Sequence, residues 1–281
     1  MNTRRLSTGT VFVLAVGISF FLGRGVAPPT NAQAPQAPGV NPQESRLLAN
    51  LYMITSGEYR ACCLQTYRFA EERLAQKLRA RSHTEKAPAV LMDLDETVFD
   101  NAGFQTVLYR DRLVYREELW DPWERDFPNE VRLVPGAKAF IEHAETAGVT
   151  VVYMSNRSVR FRDSTIQALR HNELNIRGIE DRLLLKDNTS DKTARRALAE
   201  ERFDVLLLFG DNLRDFSEEF KVGPSTTIVT RKSQVDGRAA QFGSDWIVLP
   251  NSSYGEWEKL LKPPLSQYLV PTAMPNPEKK N

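Results

Sequence analysis

The sequence predicts an α/β fold: a parallel β-sheet with helices on both faces, a helical N-terminal extension and a small aromatic-rich insertion. Three observations carry this. Short apolar runs recur at Ala89–Leu94, Val149–Met154, Leu183–Leu185, Val205–Phe209 and Thr226–Val229. Helical stretches at Ala137–Ala147, Phe161–His171 and Lys192–Glu201 lie between most of them. The runs are continuously apolar rather than alternating, as in strands buried on both faces of a covered parallel sheet. In such a sheet a ligand site forms at the carboxyl ends of the strands.

With 281 residues, 41% of them hydrophobic, the chain is long enough for one large domain with a small accessory part. Lys plus Arg number 37 against 36 Asp plus Glu. That balance lacks the basic excess of a nucleic-acid binder and the bias of an acidic disordered chain.

In chain order, Arg4 and Arg5 precede an apolar run from Thr10 to Leu22, followed by small residues. This is the pattern of a secretory signal over residues 1–34, with Ala32 and Ala34 as cleavage positions. The run is short for a membrane span, which needs about 20 residues. A retained N-terminal anchor is the alternative, and membrane contact is expected only in that case. Residues 35–43 read as a Pro/Ala/Gln-rich linker. From Glu44 to about residue 83 the apolar spacing is helical, with Gly57 as the break between two helices. The only cysteines, Cys62 and Cys63, are adjacent and read as two buried small apolar residues.

Pro88 precedes the first strand, where a missing donor is tolerated. Residues 99–132 interrupt the alternation with Tyr109, Tyr115, Trp120, Trp123 and Phe127 among many charges. They read as a cap inserted over the site. The domain extends to residue 262, and residues 263–281 form a Pro-rich tail.

The strand tips carry the chemistry. The first ends in Asp93-Leu94-Asp95-Glu96-Thr97, the second in Ser155-Asn156-Arg157, and the fourth in Gly210-Asp211-Asn212-Leu213-Arg214-Asp215. Lys186 and Lys192 stand between the second and fourth tips. Acids this dense repel one another unless a hard cation joins them, and Mg2+ prefers oxygen ligands. Asp93 and Asp95 are two apart, so on an extended backbone their side chains share a side. One carboxylate can attack phosphorus while the other moves a proton. The expected site is therefore a magnesium phosphotransfer centre. His83, His143 and His171 fall outside every motif, and the Arg195-Arg196 pair reads as a solvated helix face. Glu96 reads as a solvated or metal-distant acid rather than a catalyst, and Thr97 as a residue that satisfies the loop backbone by hydrogen bonding.

In this order, "DLDET", "SNR", the lysine of "SDK" and "GDNLRDF" resemble the haloacid dehalogenase-like phosphohydrolases. More narrowly, they resemble the class C bacterial acid phosphatases with four key aspartates. The flanks "SGEYRACCLQTYRFA", "LVPGAKAF", "GVTVVYMSNR" and "LPNSSYGEW" reinforce this across residues 47–260. The resemblance implies a Rossmann-like sheet, Asp93 as nucleophile and Asp95 as general acid and then base. It implies that Ser155 and Asn156 hold phosphate and that Lys192 pairs with nucleophile and phosphate. Magnesium would be held by Asp93, the Asp95 carbonyl and Asp211, with Asp215 nearby. Trp120 or Trp123, with Tyr254, would sandwich a nucleobase or aromatic leaving group. Many relatives are exported lipoproteins that hydrolyse nucleoside monophosphates. This chain has no cysteine near residues 20–35 to carry a lipid.

The expected function is an exported, periplasmic or extracellular, Mg2+-dependent phosphomonoesterase of acid-phosphatase type, 5'-nucleotidase-like and acting on small phosphomonoesters. The alternatives are a non-catalytic binding or storage protein on the same scaffold, and a phosphoprotein phosphatase. Homo-oligomerisation is left open, and no nucleic-acid polymer is expected as partner.

Overall fold

The computed structural model describes residues 41–82 and 85–269. The expected leader at 1–34, most of the linker, His83 and most of the tail lie outside them. A compact unit begins at Asn41. The end of the expected linker belongs to it: Asn41 donates to the Tyr109 carbonyl at 2.8 Å, and Gln43, almost fully buried, donates to the Leu113 carbonyl at 2.5 Å.

The helical extension forms α1 (Glu44–Thr55) and α2 (Gly57–Ala80). The break falls at Ser56, in extended conformation, whose side chain accepts the Tyr59 N–H and caps α2. Gly57 is the first helical residue rather than the break. Cys63 is buried and Cys62 exposed, which corrects the expectation that both are inside. Neighbours on a helix point about 100° apart, so one apolar stripe cannot take both.

The sheet contains β1 (Ala87–Met92), β4 (Thr150–Ser158), β5 (Leu183–Lys186), β6 (Phe203–Gly210) and β7 (Trp246–Val248). Its order is β5-β4-β1-β6-β7, every neighbouring pair parallel. The order reverses between β1 and β6, where a crevice opens beyond the strand ends. On one face Val90, Met92, Val151, Tyr153, Leu207 and Phe209 join the main core with Tyr67 of α2, Phe140 of α5 (Ala137–Thr146) and Leu169 of α6 (Arg162–His171). On the other, Ala89, Leu91, Val152 and Met154 pack on Ala199 of α7 (Thr193–Arg202). Both faces are dry, so the strands needed no polar alternation.

The expected strand at Thr226–Val229 is not formed. Thr227 accepts the Thr230 N–H while the Thr230 hydroxyl accepts the Thr227 N–H, and this capping box opens α8 (Ile228–Gly237). The fifth strand is β7, whose Ile247 supplies the buried position.

The insertion begins and ends on a two-stranded ribbon, β2 (Phe99–Asp100) antiparallel to β3 (Arg132–Leu133). Between them lie α3 (Ala102–Arg110) and α4 (Glu117–Asp126). Among the described residues, no helix is long and apolar enough to cross a membrane.

The loop after β1 is tied down from below. The buried Tyr67 hydroxyl donates to the Thr97 carbonyl at 2.6 Å. Tyr67→Phe leaves that carbonyl without this donor. It should cost roughly 1–3 kcal/mol, read as a lowered denaturant midpoint with unchanged m-value.

Candidate active site

Beyond β1, the Asp93 N–H still donates to the Phe209 carbonyl of β6 at 3.0 Å, so Asp93 is fixed by the sheet itself. The chain then turns tightly: the N–H groups of Thr97, Val98 and Phe99 all reach the Leu94 carbonyl. Glu96 takes φ +56°, a left-handed conformation uncommon for a side chain with a Cβ. Its Oε1 accepts the Asn101 N–H at 3.0 Å, which holds the turn. Glu96 is 2% exposed, not a solvated acid, and burial pushes its carboxyl well above the usual range, with Asp95 and Asp211 adding to the effect. The Thr97 hydroxyl is buried and finds no hydrogen-bond partner among the described residues, so it does not serve the loop backbone.

After β6, Asp215 sits in a 3₁₀ turn at Leu213–Asp215. Its Oδ2 accepts the Asn212 N–H at 2.9 Å while its Oδ1 accepts Lys192 Nζ at 2.7 Å. Gly210 permits this fold-back, because a Cβ there would lie 2.4 Å from Asp215 Cβ. Lys192 also donates to Asp93 Oδ1 at 2.5 Å and is itself 2% exposed. Asp211 accepts Asn251 Nδ2 at 2.8 Å.

Asp93, Asp211 and Asp215 each offer an oxygen within 4.8 Å of the others. Burial raises the Asp93 carboxyl; Lys192 opposes this and Asp215 and Asp95 add to it. Burial also raises Asp211, with Asp215 and Asp93 beside it. Burial works against the Lys192 ammonium, but Asp215 and Asp93 outweigh it and hold the charge. One ammonium cannot balance three carboxylates. The all-oxygen donor set fits a hard divalent cation.

These groups open into a cavity of about 460 Å³. Asp93, Asp95, Asn156, Lys192, Asp211 and Asp215 all reach its wall. Phe104, Leu108, Tyr115 and Trp120 of the insertion form an apolar side, and Tyr254, Glu256 and Lys259 join Arg46 of α1 elsewhere on it. Lys186 also lines the cavity but pairs with Glu117 at 2.7 Å, away from the acids that hold Lys192. Ser155, unlike its neighbour Asn156, does not line the cavity: it is fully buried, its hydroxyl accepting the Arg157 N–H at 3.1 Å. Trp123 does not line the cavity, and its expected contact with substrate is corrected. It lies in the core against Phe104 and donates to Asn101 Oδ1 at 3.0 Å. The helical turn that aims Trp120 at the cavity turns Trp123 inward.

Several site residues carried no expectation. Asp95 is held by Arg157 and Asn101, and Trp120 Nε1 donates to Glu124 at 3.0 Å. Glu124 also accepts the Ser158 N–H at 2.6 Å, tying the cap to the tip of β4. The Arg195–Arg196 face is not solvated: Arg195 donates to the Ser155 carbonyl at 2.5 Å and to Asn156 Oδ1 at 2.7 Å, and Arg196 to the Asp215 carbonyl at 2.8 Å. Arg157 stands inside the "SNR" run, so its motif was a signal; Glu124 had none.

Burial raises the Glu124 carboxyl from 4.5 to about 7, with Arg157 lowering it and Asp95 raising it. Between those values the folded protein keeps a proton that the unfolded chain has lost. This contribution is complete below pH 4.5 and disappears as pH rises through about 7. In Glu124→Gln that decline, at most ~3 kcal/mol, should be missing when unfolding free energy is compared with wild type at each pH. Because the amide loses the Trp120 contact, the slope is the readout rather than the absolute value.

The HAD superfamily profile for subfamily IIIB (acid phosphatase) matches residues 31–257. The structure of the class C acid phosphatase from Bacillus anthracis is 33% identical, with a TM-score of 0.70, over 79% of this chain and 89% of that one. A second structure of that enzyme, with tungstate bound, matches at 33% identity and a TM-score of 0.70 over 79% and 90% of the two chains.

Proposed function

Because the chain belongs to the HAD superfamily, subfamily IIIB, the acid phosphatases, we propose that it hydrolyses small phosphomonoesters with Mg2+ through an aspartyl-phosphate. The observation that carries this reading is Lys192 bridging Asp93 and Asp215, with Asp211 alongside, on the wall of an open cavity.

Asp93 attacks phosphorus as the ester P–O bond breaks, and Asp95 gives its proton to the departing oxygen. Asp95 then takes a proton from water as that water attacks phosphorus, releasing inorganic phosphate and freeing Asp93. Lys192 neutralises the nucleophile and pairs with a phosphate oxygen; Asn156 and Ser155 donate to the others. Asp93, Asp211, Asp215 and the Asp95 carbonyl would hold magnesium, which supplies positive charge against the phosphoryl oxygens. The apolar side of the cavity, with Trp120 and Tyr254 on its wall, suits a flat leaving group such as a nucleobase, so nucleoside monophosphates are the proposed substrates.

Asp93→Asn should lower phosphate release at least ~10³-fold, and chelation should abolish it reversibly. Nucleoside monophosphates should be better substrates than phosphopeptides, and tungstate should compete with them. Full activity in Asp93→Asn, or a preference for phosphopeptides, would overturn the reading.

We also propose export, on the basic and apolar pattern of residues 1–34. Intact mass of protein recovered from cell fractions should show loss of about that segment in the exported pool. Full-length protein held at the membrane would instead mean a retained anchor.

A further inference from the structure

We propose that Arg157 is a positioning residue for the reaction, deciding which oxygen of Asp95 carries the transferable proton. This rests on the reading above in which Asp95 is the acid. Asp95 Oδ1 accepts hydrogen bonds from Arg157 Nε at 2.9 Å and Asn101 Nδ2 at 2.9 Å, and Arg157 Nη2 stands 2.8 Å from it as an ion pair. An oxygen so occupied has no room for a proton. Among the described residues Oδ2 hydrogen-bonds only with the Ser155 hydroxyl, at 3.4 Å, and Ser155 precedes the cavity-lining Asn156. The proton is therefore carried on Oδ2 and passes from there to the leaving oxygen.

Arg157 is itself fixed to an unusual degree. It is fully buried, among the largest side chains so placed in the described residues. Its guanidinium lies 4.9 Å from the ring centre of Phe99 and 5.6 Å from that of Trp120, and Nη2 also donates to Asn101 Oδ1 at 3.0 Å. Nη1 is buried and has no hydrogen-bond partner among the described residues. Desolvated cation–ring contacts of this kind restrain the planar fork, which lysine cannot reproduce. Trp120 is held in turn by Glu124, and Glu124 by the Ser158 N–H next to Arg157. The circuit closes on the strand tip, so the tryptophan that lines the leaving-group side also presses on the residue that orients the acid.

General acid catalysis matters more the poorer the leaving group, and this separates positioning from a structural role. We would measure kcat/KM, which reports the step that forms the aspartyl-phosphate, for 4-nitrophenyl, phenyl and methyl phosphate. The proteins would be wild type, Asp95→Asn, Arg157→Met and Arg157→Lys, with inhibition by inorganic phosphate measured for each. Asp95→Asn should lose activity increasingly along the series, by roughly 10²–10⁴-fold on the methyl ester. Arg157→Met should follow the same trend with smaller amplitude, roughly tenfold or more between the two ends of the series, with phosphate inhibition unchanged. Arg157→Lys should fall between Arg157→Met and wild type, and it decides the matter if thermal unfolding shows that Arg157→Met does not fold. A uniform loss across all three esters in the Arg157 variants, with Asp95→Asn still steep, would overturn the inference and leave Asp95 as the acid. A flat profile in Asp95→Asn would overturn that assignment itself.

Discussion

Asp93, Asp211 and Asp215 crowd the carboxyl edge of the sheet around a single buried ammonium, Lys192. Three carboxylates near one positive charge would disperse if each hung from a flexible loop. Here each is anchored. Asp93 continues the β1–β6 hydrogen bonding, Asp215 is folded back over Gly210 by its own capping box, and Asp211 is held by Asn251. Burial, with the neighbouring carboxylates adding to it, raises Asp93 and Asp211 and makes the site receptive to a hard cation and then to an anionic ester.

The cap contributes more than a cover. It emerges from the β2–β3 ribbon directly after the Asp93–Asp95 turn, so its helices begin a few residues from the acids. Phe104 and Trp120 meet edge to face at 5.0 Å and form an apolar side near a strongly polar centre. Beneath them Arg157, Asn101 and Glu124 knit cap, turn and β4 into one hydrogen-bonded body. A substrate spanning both regions would present its phosphate to charges fixed by the sheet and its leaving group to rings fixed by this network.

Where expectation and structure part, local signals misled or were silent. Thr226–Val229 is β-branched and short, which reads as a strand, but the Thr227–Thr230 box starts a helix there. Glu96 looks solvated beside other acids, yet the tight turn presses it inward. Trp120 and Trp123 are three positions apart and alike in type. Only the packing of α4 on Phe104 and Asn101 sends one to the cavity and the other to the core.

The sequence alone determined that the strands are parallel and covered, and that acids, an amide and a lysine collect at their tips. Continuous apolar runs spaced by amphipathic helices suit a sheet dry on both faces, and right-handed crossovers return each tip to one edge. It also carried the family, which four ordered motifs suggest and the profile match shows. Only the tertiary structure decided the finer assignments: that Arg157 grips one oxygen of Asp95, and that Glu124, beside Trp120, reaches the Ser158 N–H at the tip of β4. The Arg157–Asp95 and Glu124–Ser158 contacts join residues far apart in the chain, set by side-chain direction and burial, and no spacing within a single segment encodes them.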